Sequence, residues 1–105
     1  MIHNLPSLYF LRLYQGKKDP VLLVIQELKD KLLDREELLD VYDACYRLLH
    51  PRVGTGKYTQ IHFFRNNGCE CFKAAIDYWT DDEVLLRSVM QCLIPLATNR
   101  KFMVT

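Results

Sequence analysis

The sequence predicts an all-helical protein, and three observations carry that prediction. Apolar residues recur at helical spacing in one segment after another. Two of these segments open with acidic sequences of the kind that cap helices. No segment alternates apolar and polar residues between turns as a half-buried strand would. At 105 residues, the chain is long enough for one small domain with a modest core.

The first clear helix is predicted to begin at the pair Asp19-Pro20. Aspartate is a favoured N-cap residue, and proline suits the first helical turn because it has no N–H to leave unsatisfied. The apolar residues that follow have the i, i+3, i+4, i+7, i+11 spacing of one helix face. They are Val21, Val24, Ile25, Leu28 and Leu32.

A second helix is predicted after Asp34, where Asp34 and Glu37 have the spacing of a capping box. It should end at His50, because the residue before Pro51 is disfavoured in helical conformation. The apolar face consists of Leu38, Val41, Tyr42, Cys45, Leu48 and Leu49.

Three more helices are predicted in the second half of the chain. A short helix should end at Asn67-Gly68, a typical left-handed stop, and another should cover 69–79. A second capping box, Thr80 to Glu83, should open a long helix whose last turn contains Pro95, which is expected to kink or shorten its end. The predicted apolar face of that helix consists of Leu86, Val89, Met90, Leu93 and Ala97.

The two capped helices match each other when the sequence is shifted by 47 positions. The shift pairs Asp34 with Asp81 and aligns five apolar positions. These are Leu38 with Leu85, Leu39 with Leu86, Tyr42 with Val89, Cys45 with Cys92, and Leu49 with Leu96. A period near 47 residues is typical of helical repeats, although two amphipathic helices also align by coincidence.

The second half resembles an armadillo repeat, with YTQIHFFRNNG, CECFKAAIDYW and DDEVLLRSVMQCLIPLAT as its three helices. The resemblance implies an armadillo-like right-handed superhelix fragment of about two repeats and five to six helices. Unit one would cover about 5–50, a linker 51–57, unit two about 58–98, and 99–105 would start a further unit. The asparagine that armadillo proteins often use to hold extended peptides is replaced by Pro95 and, in unit one, by Leu48.

The resemblance implies a non-catalytic scaffold that binds a protein partner through its third-helix face or open end. Candidate partner-binding residues are Glu36, Asp40, Asp43, Arg87, Gln91 and Trp79. The first three are spaced i, i+4, i+7 opposite the apolar face, and the alternative that they form a solvated helix surface is favoured. Trp79 at a helix end is a candidate interface anchor. The alternative function is a compact helical bundle that forms a homodimer through an exposed apolar end.

Charge and hydropathy argue against several other classes of partner. The 14 basic and 13 acidic residues create no strong field for nucleic acid or an anionic membrane. No apolar run approaches the roughly 18 residues of a membrane span, and the first residues lack a signal-peptide pattern. We therefore expect an intracellular protein, cytoplasmic or nuclear, that is either a homo-oligomer or part of a longer repeat array.

Two motifs that suggest chemistry do not have the required spacing. The segment VGTGKYT looks like the end of a phosphate-binding loop, but Pro51 stands where the first glycine belongs and Tyr58 where serine or threonine belongs. A metal site built from His62, Cys69 and Cys71 lacks a second ligand pair. Cys45 and Cys92 lie on apolar faces, which favours core packing over a reactive thiol. The sequence therefore predicts no enzyme, cofactor or metal.

Overall fold

The computed structural model describes residues 19–50 and 57–99. This part of the chain contains five α-helices and no strand. They are α1 (Pro20–Asp30), α2 (Arg35–Leu49), α3 (Lys57–Arg65), α4 (Gly68–Tyr78) and α5 (Glu83–Ala97). The all-helical prediction is confirmed for these residues. The predicted unit boundaries within 5–18, 51–56 and 100–105 lie outside them.

Side-chain caps fix the starts of α1 and α2 at the predicted residues. Asp19 Oδ1 accepts hydrogen bonds from the backbone N–H groups of Val21 and Leu22, at 2.9 and 3.4 Å. Asp34 Oδ1 accepts from the N–H of Glu37 at 3.3 Å. Each bond satisfies a donor that the first helical turn leaves without a partner. The reciprocal half of the capping box does not form, because the Glu37 carboxylate pairs with Lys31 at 2.8 Å.

The start of α5 differs from its prediction. The N-cap is Asp82, whose Oδ1 accepts from the N–H of Leu85 at 3.1 Å. Thr80 instead completes the end of α4, where its hydroxyl donates to the carbonyls of Ile76 and Asp77 at 3.3 and 2.9 Å. Those carbonyls lack helical partners at a C-terminus, so the threonine satisfies the preceding helix rather than the following one.

The turn between α3 and α4 requires both of its predicted residues, for different reasons. Asn67 has a φ of 64° and occupies the left-handed region, which asparagine tolerates better than most residues. Gly68 begins α4 directly against the Phe63 ring, and a Cβ at this position would overlap the ring. The turn is therefore specified by one residue's backbone conformation and by another's lack of a side chain.

One hydrophobic core joins all five helices. Its largest fully buried side chains are Tyr42, Phe63 and Phe72, whose rings meet at centroid distances of 5.8 Å (Tyr42–Phe72) and 5.4 Å (Phe63–Phe72). Two other aromatic residues of the second half, Phe64 and Tyr78, are 51% and 56% exposed. Trp79 is half-buried and packs against this core.

The buried face of α5 is rotated from the predicted one. Leu85, Val89, Cys92 and Leu96 are buried, whereas Met90 is 52% exposed and Ala97 is exposed. The buried set faces α2, because the Cys92 thiol donates to the Tyr42 carbonyl. Pro95 does not shorten the helix, which continues to Ala97.

Helix α4 packs on α1, and the two helices run in the same direction. Cys71 Sγ, near the start of α4, is 3.9 Å from the carbonyl oxygen of Ile25, to which it can donate a weak hydrogen bond. Trp79 Nε1, just after α4, donates to the carbonyl of Leu32 at 2.8 Å. The two contacts join residues 46 and 47 positions apart, so the helices advance together.

Helices α2 and α5 also lie side by side in the same direction. Arg35 Nε donates to Asp82 Oδ2 at 2.5 Å at the start of both helices, and the Cys92 thiol meets the Tyr42 carbonyl at 3.4 Å further along. Every buried position of α5 matches a buried position of α2 at the predicted separation of 47. The caps do not, since Asp34 corresponds to Asp82 rather than Asp81.

A buried amide pair ties the C-terminal ends together. Gln60 Nε2 donates to the carbonyl of Leu49 at 2.9 Å, and Asn99 Nδ2 donates to Gln60 Oε1 at 2.6 Å. None of the five helices combines the length and the apolar character needed to cross a membrane.

Candidate interaction surface between α2 and α5

A groove of about 390 Å³ lies between the C-terminal halves of α2 and α5. We call it the α2–α5 groove; it is lined by Tyr46, His50, Gln91, Ile94, Pro95 and Thr98. Tyr46 and His50 stand one turn apart on α2 with ring centroids separated by 5.4 Å. Ile94 on the opposite wall is 60% exposed.

Pro95 changes the backbone chemistry on the α5 side of this groove. A proline has no N–H, so it cannot donate to the carbonyl of Gln91 four residues earlier. The Thr98 hydroxyl donates to the carbonyls of Ile94 and Pro95, at 3.1 Å each, and satisfies the end of the helix. The carbonyl of Gln91 therefore lacks the helical donor that residue 95 would otherwise supply.

Glu36, Asp40 and Asp43 form a row along α2, which we call the acidic row. Two of its members have cations on the same helix: Glu36 contacts Arg35, and Asp43 contacts Arg47, each at 3.1 Å. Asp40 makes no ion pair within the described residues.

The electrostatics of the acidic row follow from this arrangement. Partial burial raises the pKa of the Asp40 carboxyl, and the negative charges of Asp43, Glu36 and Glu37 raise it further. The surroundings of Asp40 thus oppose its ionisation. A positive group placed beside Asp40 would offset this repulsion, so we expect this member of the acidic row to attract one.

The candidate residues on α5 have different positions relative to the groove. Gln91 lies in its wall, and Arg87, one turn earlier, is exposed. Neither Arg87 nor the acidic row lines the groove, although Asp43 stands one turn before Tyr46 on α2. Tyr46, His50 and Ile94 were not predicted as site residues. Tyr46 and Ile94 were assigned to no apolar face, and His50 was considered only as the residue that ends α2.

Trp79 is not a freely exposed anchor. Its indole N–H donates to the Leu32 carbonyl, its ring packs against the core, and Tyr78 contacts it edge-on at 5.0 Å. The residue is half-buried within its own chain, so a partner could reach only part of the ring.

A second cleft, of about 450 Å³, lies between α3 and the start of α1. His62 Nε2 contacts Asp19 Oδ2 at 2.5 Å, and the Asn66 amide lies 3.1 Å from His62 Nδ1. Both ring nitrogens therefore have hydrogen-bonding partners within the chain. The described residues contain no group of three or more His, Cys, Asp or Glu side chains arranged to hold a metal ion.

Burial dominates the chemistry of the cysteines. It raises the pKa of Cys45, Cys69 and Cys71, with Cys45 strongly affected because it is fully enclosed. A high pKa reduces the thiolate fraction and with it nucleophilic reactivity in the closed structure.

Comparison of the chain with protein-family models, with curated proteins and with solved structures returns no match.

Proposed function

We propose that the chain consists of two stacked armadillo-like units that bind a segment of a protein partner along the α2–α5 groove. The observation that carries the proposal is the groove itself: a concave, partly apolar surface between two parallel helices, with Ile94 exposed in its wall. Clefts of this kind, with a few polar groups beside apolar side chains, are typical binding sites.

The stacking supports the armadillo-like part of the proposal. Side-chain contacts join α1 to α4 and α2 to α5 at separations of 46 to 50 residues. Separations within so narrow a range are expected when a second unit repeats the arrangement of the first. Helices α3, α4 and α5 also cover the three segments on which the resemblance rests.

The polar groups suggest how an extended or helical segment would be held. An apolar side chain of the partner would contact Ile94 and Tyr46. Arg87 and Asp40 are exposed charges on the same two helices, outside the lining of the groove, and in this proposal they select the partner's sequence. Exposed charges contribute about 0.2–1 kcal/mol each, so the apolar contact would supply more of the affinity.

A matched pair of variants tests the proposal. Peptides of twelve residues would be selected from a random displayed library on the full chain, and their affinities measured by fluorescence anisotropy. Ile94→Glu should weaken the affinity for the selected peptides by tenfold or more, because it places a charge in the apolar contact. Met90→Glu is the control, since Met90 is similarly exposed on the same helix but does not line the groove. Equal affinities for both variants would contradict the proposal.

Self-association through α5 is a second candidate, favoured by a different observation. Met90 is 52% exposed between Leu86 and Leu93, which are half-buried on the same flank of the helix. A second copy of the chain could cover this flank. Sedimentation equilibrium of the unmodified chain and of Met90→Glu tests this: a dimer that the substitution dissociates supports the candidate, and a monomer at every concentration excludes it.

A further inference from the structure

Two cysteines from different units meet in the contact between α2 and α5. Cys45 and Cys92 have no exposed surface, and they occupy matching positions 47 residues apart. Both are free thiols in the structure.

The contacts around them place the two side chains on facing sides of the same helix pair. The Cys92 thiol donates to the carbonyl of Tyr42 at 3.4 Å, and Tyr42 precedes Cys45 by three residues on the same helix face. Cys45 is fully buried on that face, so its thiol lies within the contact that Cys92 enters from α5. A disulfide joins such facing positions when their Cβ atoms come within about 3.5–4.5 Å of each other.

We propose that Cys45 and Cys92 form a reversible disulfide that fastens α5 to α2 when the protein meets a low-molecular-weight disulfide oxidant. One cysteine thiolate attacks the oxidant and forms a mixed disulfide, releasing one small thiol. The second cysteine attacks that mixed disulfide, forms the Cys45–Cys92 bond and releases the second small thiol. The protein loses two electrons and two protons, and the oxidant gains them as two thiols.

The other two cysteines are arranged differently. Cys69 and Cys71 both lie on α4, where residues two apart point in directions about 200° apart. Cys71 is directed at the Ile25 carbonyl on α1, and Cys69 is half-buried. The pair that bridges α2 and α5 is therefore specific to Cys45 and Cys92.

Burial determines how the pair would react. The enclosed Cys45 thiol has a raised pKa and no access to solvent, so the oxidant reaches it only when α5 moves away from α2. Oxidation should be slow under native conditions and faster under mild denaturation. Once formed, the bond closes a long loop between the two units and restricts the unfolded chain.

Peptide mapping of the full, unmodified chain tests the proposal. The reduced protein would be incubated with oxidised glutathione in mild denaturant, transferred to native buffer and digested with trypsin. The expected product joins peptides 36–47 and 88–100, with two hydrogen atoms lost, and dithiothreitol should separate them. The thermal midpoint of the oxidised protein should rise by roughly 10 °C or more.

Two controls make the result decisive. Cys69→Ser should leave the linked product unchanged, and Cys92→Ala should abolish it. Iodoacetamide added in place of the oxidant establishes that Cys92 is accessible under the same conditions. Any of three results would overturn the proposal. They are a disulfide from peptide 66–73, no disulfide although iodoacetamide alkylates Cys92, and a lower thermal midpoint for the oxidised protein than for the reduced one.

Discussion

Asn99 Nδ2 donates a hydrogen bond to Gln60 Oε1 across 2.6 Å, and both side chains are buried. Gln60 in turn donates to the carbonyl of Leu49 at the end of α2. One glutamine therefore connects the last turn of α2 and the residues that follow α5. Buried amides are stable when their groups are satisfied and costly when one partner is removed.

Gln60→Leu should destabilise the protein by about 1–3 kcal/mol, because it removes a buried hydrogen bond to the Leu49 carbonyl and another from the Asn99 amide. Urea unfolding followed by circular dichroism measures the change. The matched control is Gln26→Leu, on the exposed face of α1, with an expected effect within about 0.5 kcal/mol. Similar values for the two variants would show that the buried amide pair does not stabilise the fold.

Gly68→Ala should cost about 1–3 kcal/mol, because the added Cβ would overlap the Phe63 ring and force the core to shift. Thermal unfolding measures the loss. At the neighbouring position the direction reverses: Asn67→Gly should be neutral or slightly stabilising, since glycine adopts a φ of 64° without steric cost. An Ala variant as stable as the parent would mean that Phe63 relaxes without penalty.

Asp40→Asn should stabilise the protein by about 0.3 kcal/mol at neutral pH, since it removes a charge opposed by neighbouring carboxylates. The folded pKa is raised, so the protonated form is favoured in the folded state, and that preference is lost as pH rises through the folded pKa. The gain from asparagine should therefore disappear in acid, where Asp40 is already neutral.

Urea unfolding at a series of pH values measures this dependence. The control is Asp81→Asn, which changes one exposed carboxylate outside the helices. A gain from Asp40→Asn that persists unchanged in acid would contradict the charge explanation.

Asp82 should show the opposite pH dependence. Hydrogen bonds from Arg35 and then from the Leu85 N–H lower the pKa of its carboxyl below the ordinary value of 3.8. Its ionised form therefore stabilises the folded state above that value, and the contribution is lost as pH falls through the folded pKa. Asp82→Asn keeps a capping oxygen but loses the charge, so it should be less stable than the parent at neutral pH and converge with it in acid.

The combined variant Asp40→Ala and Arg87→Ala tests the charges beside the groove. Both side chains are exposed, so the double variant should fold normally. It should bind the peptides whose affinity Ile94→Glu weakens roughly fivefold less tightly than the parent chain does. Anisotropy with peptides selected on the parent chain measures this. Unchanged affinity would remove these two charges from the interaction and leave the apolar contact at Ile94 to be judged by its own variant.

The helices could be predicted from sequence because their signals are local. The Asp19 cap, the apolar faces of α1 and α2, and the Asn67 turn depend on residues within a few positions of one another. The buried face of α5 was predicted only in part, because two apolar faces exist on that helix: Val89 is buried as expected, whereas Met90 and Ala97 are exposed. Only the position of α2, more than forty residues away, decides that Leu85 is buried and Met90 exposed.

The candidate surface was harder to predict for the same reason. Gln91 was identified from its register, and it lines the groove, but Tyr46 and Ile94 become neighbours only when α2 and α5 are parallel. Trp79 shows the same limit for a residue that was predicted to bind a partner. Its position at a helix end suggested an anchor for a partner, whereas its N–H bonds to Leu32, a residue 47 positions earlier.

The stacking of α4 on α1 and of α5 on α2 has a consequence for how the chain folds. The contacts that join the helices connect residues 46 to 50 positions apart, while each helix by itself is short. Isolated helices of this length are only marginally stable in water. Neither half of the chain is therefore stabilised much until distant parts of the chain are in contact. Folding should therefore be a single cooperative transition, slower than that of a helical protein built from sequence neighbours.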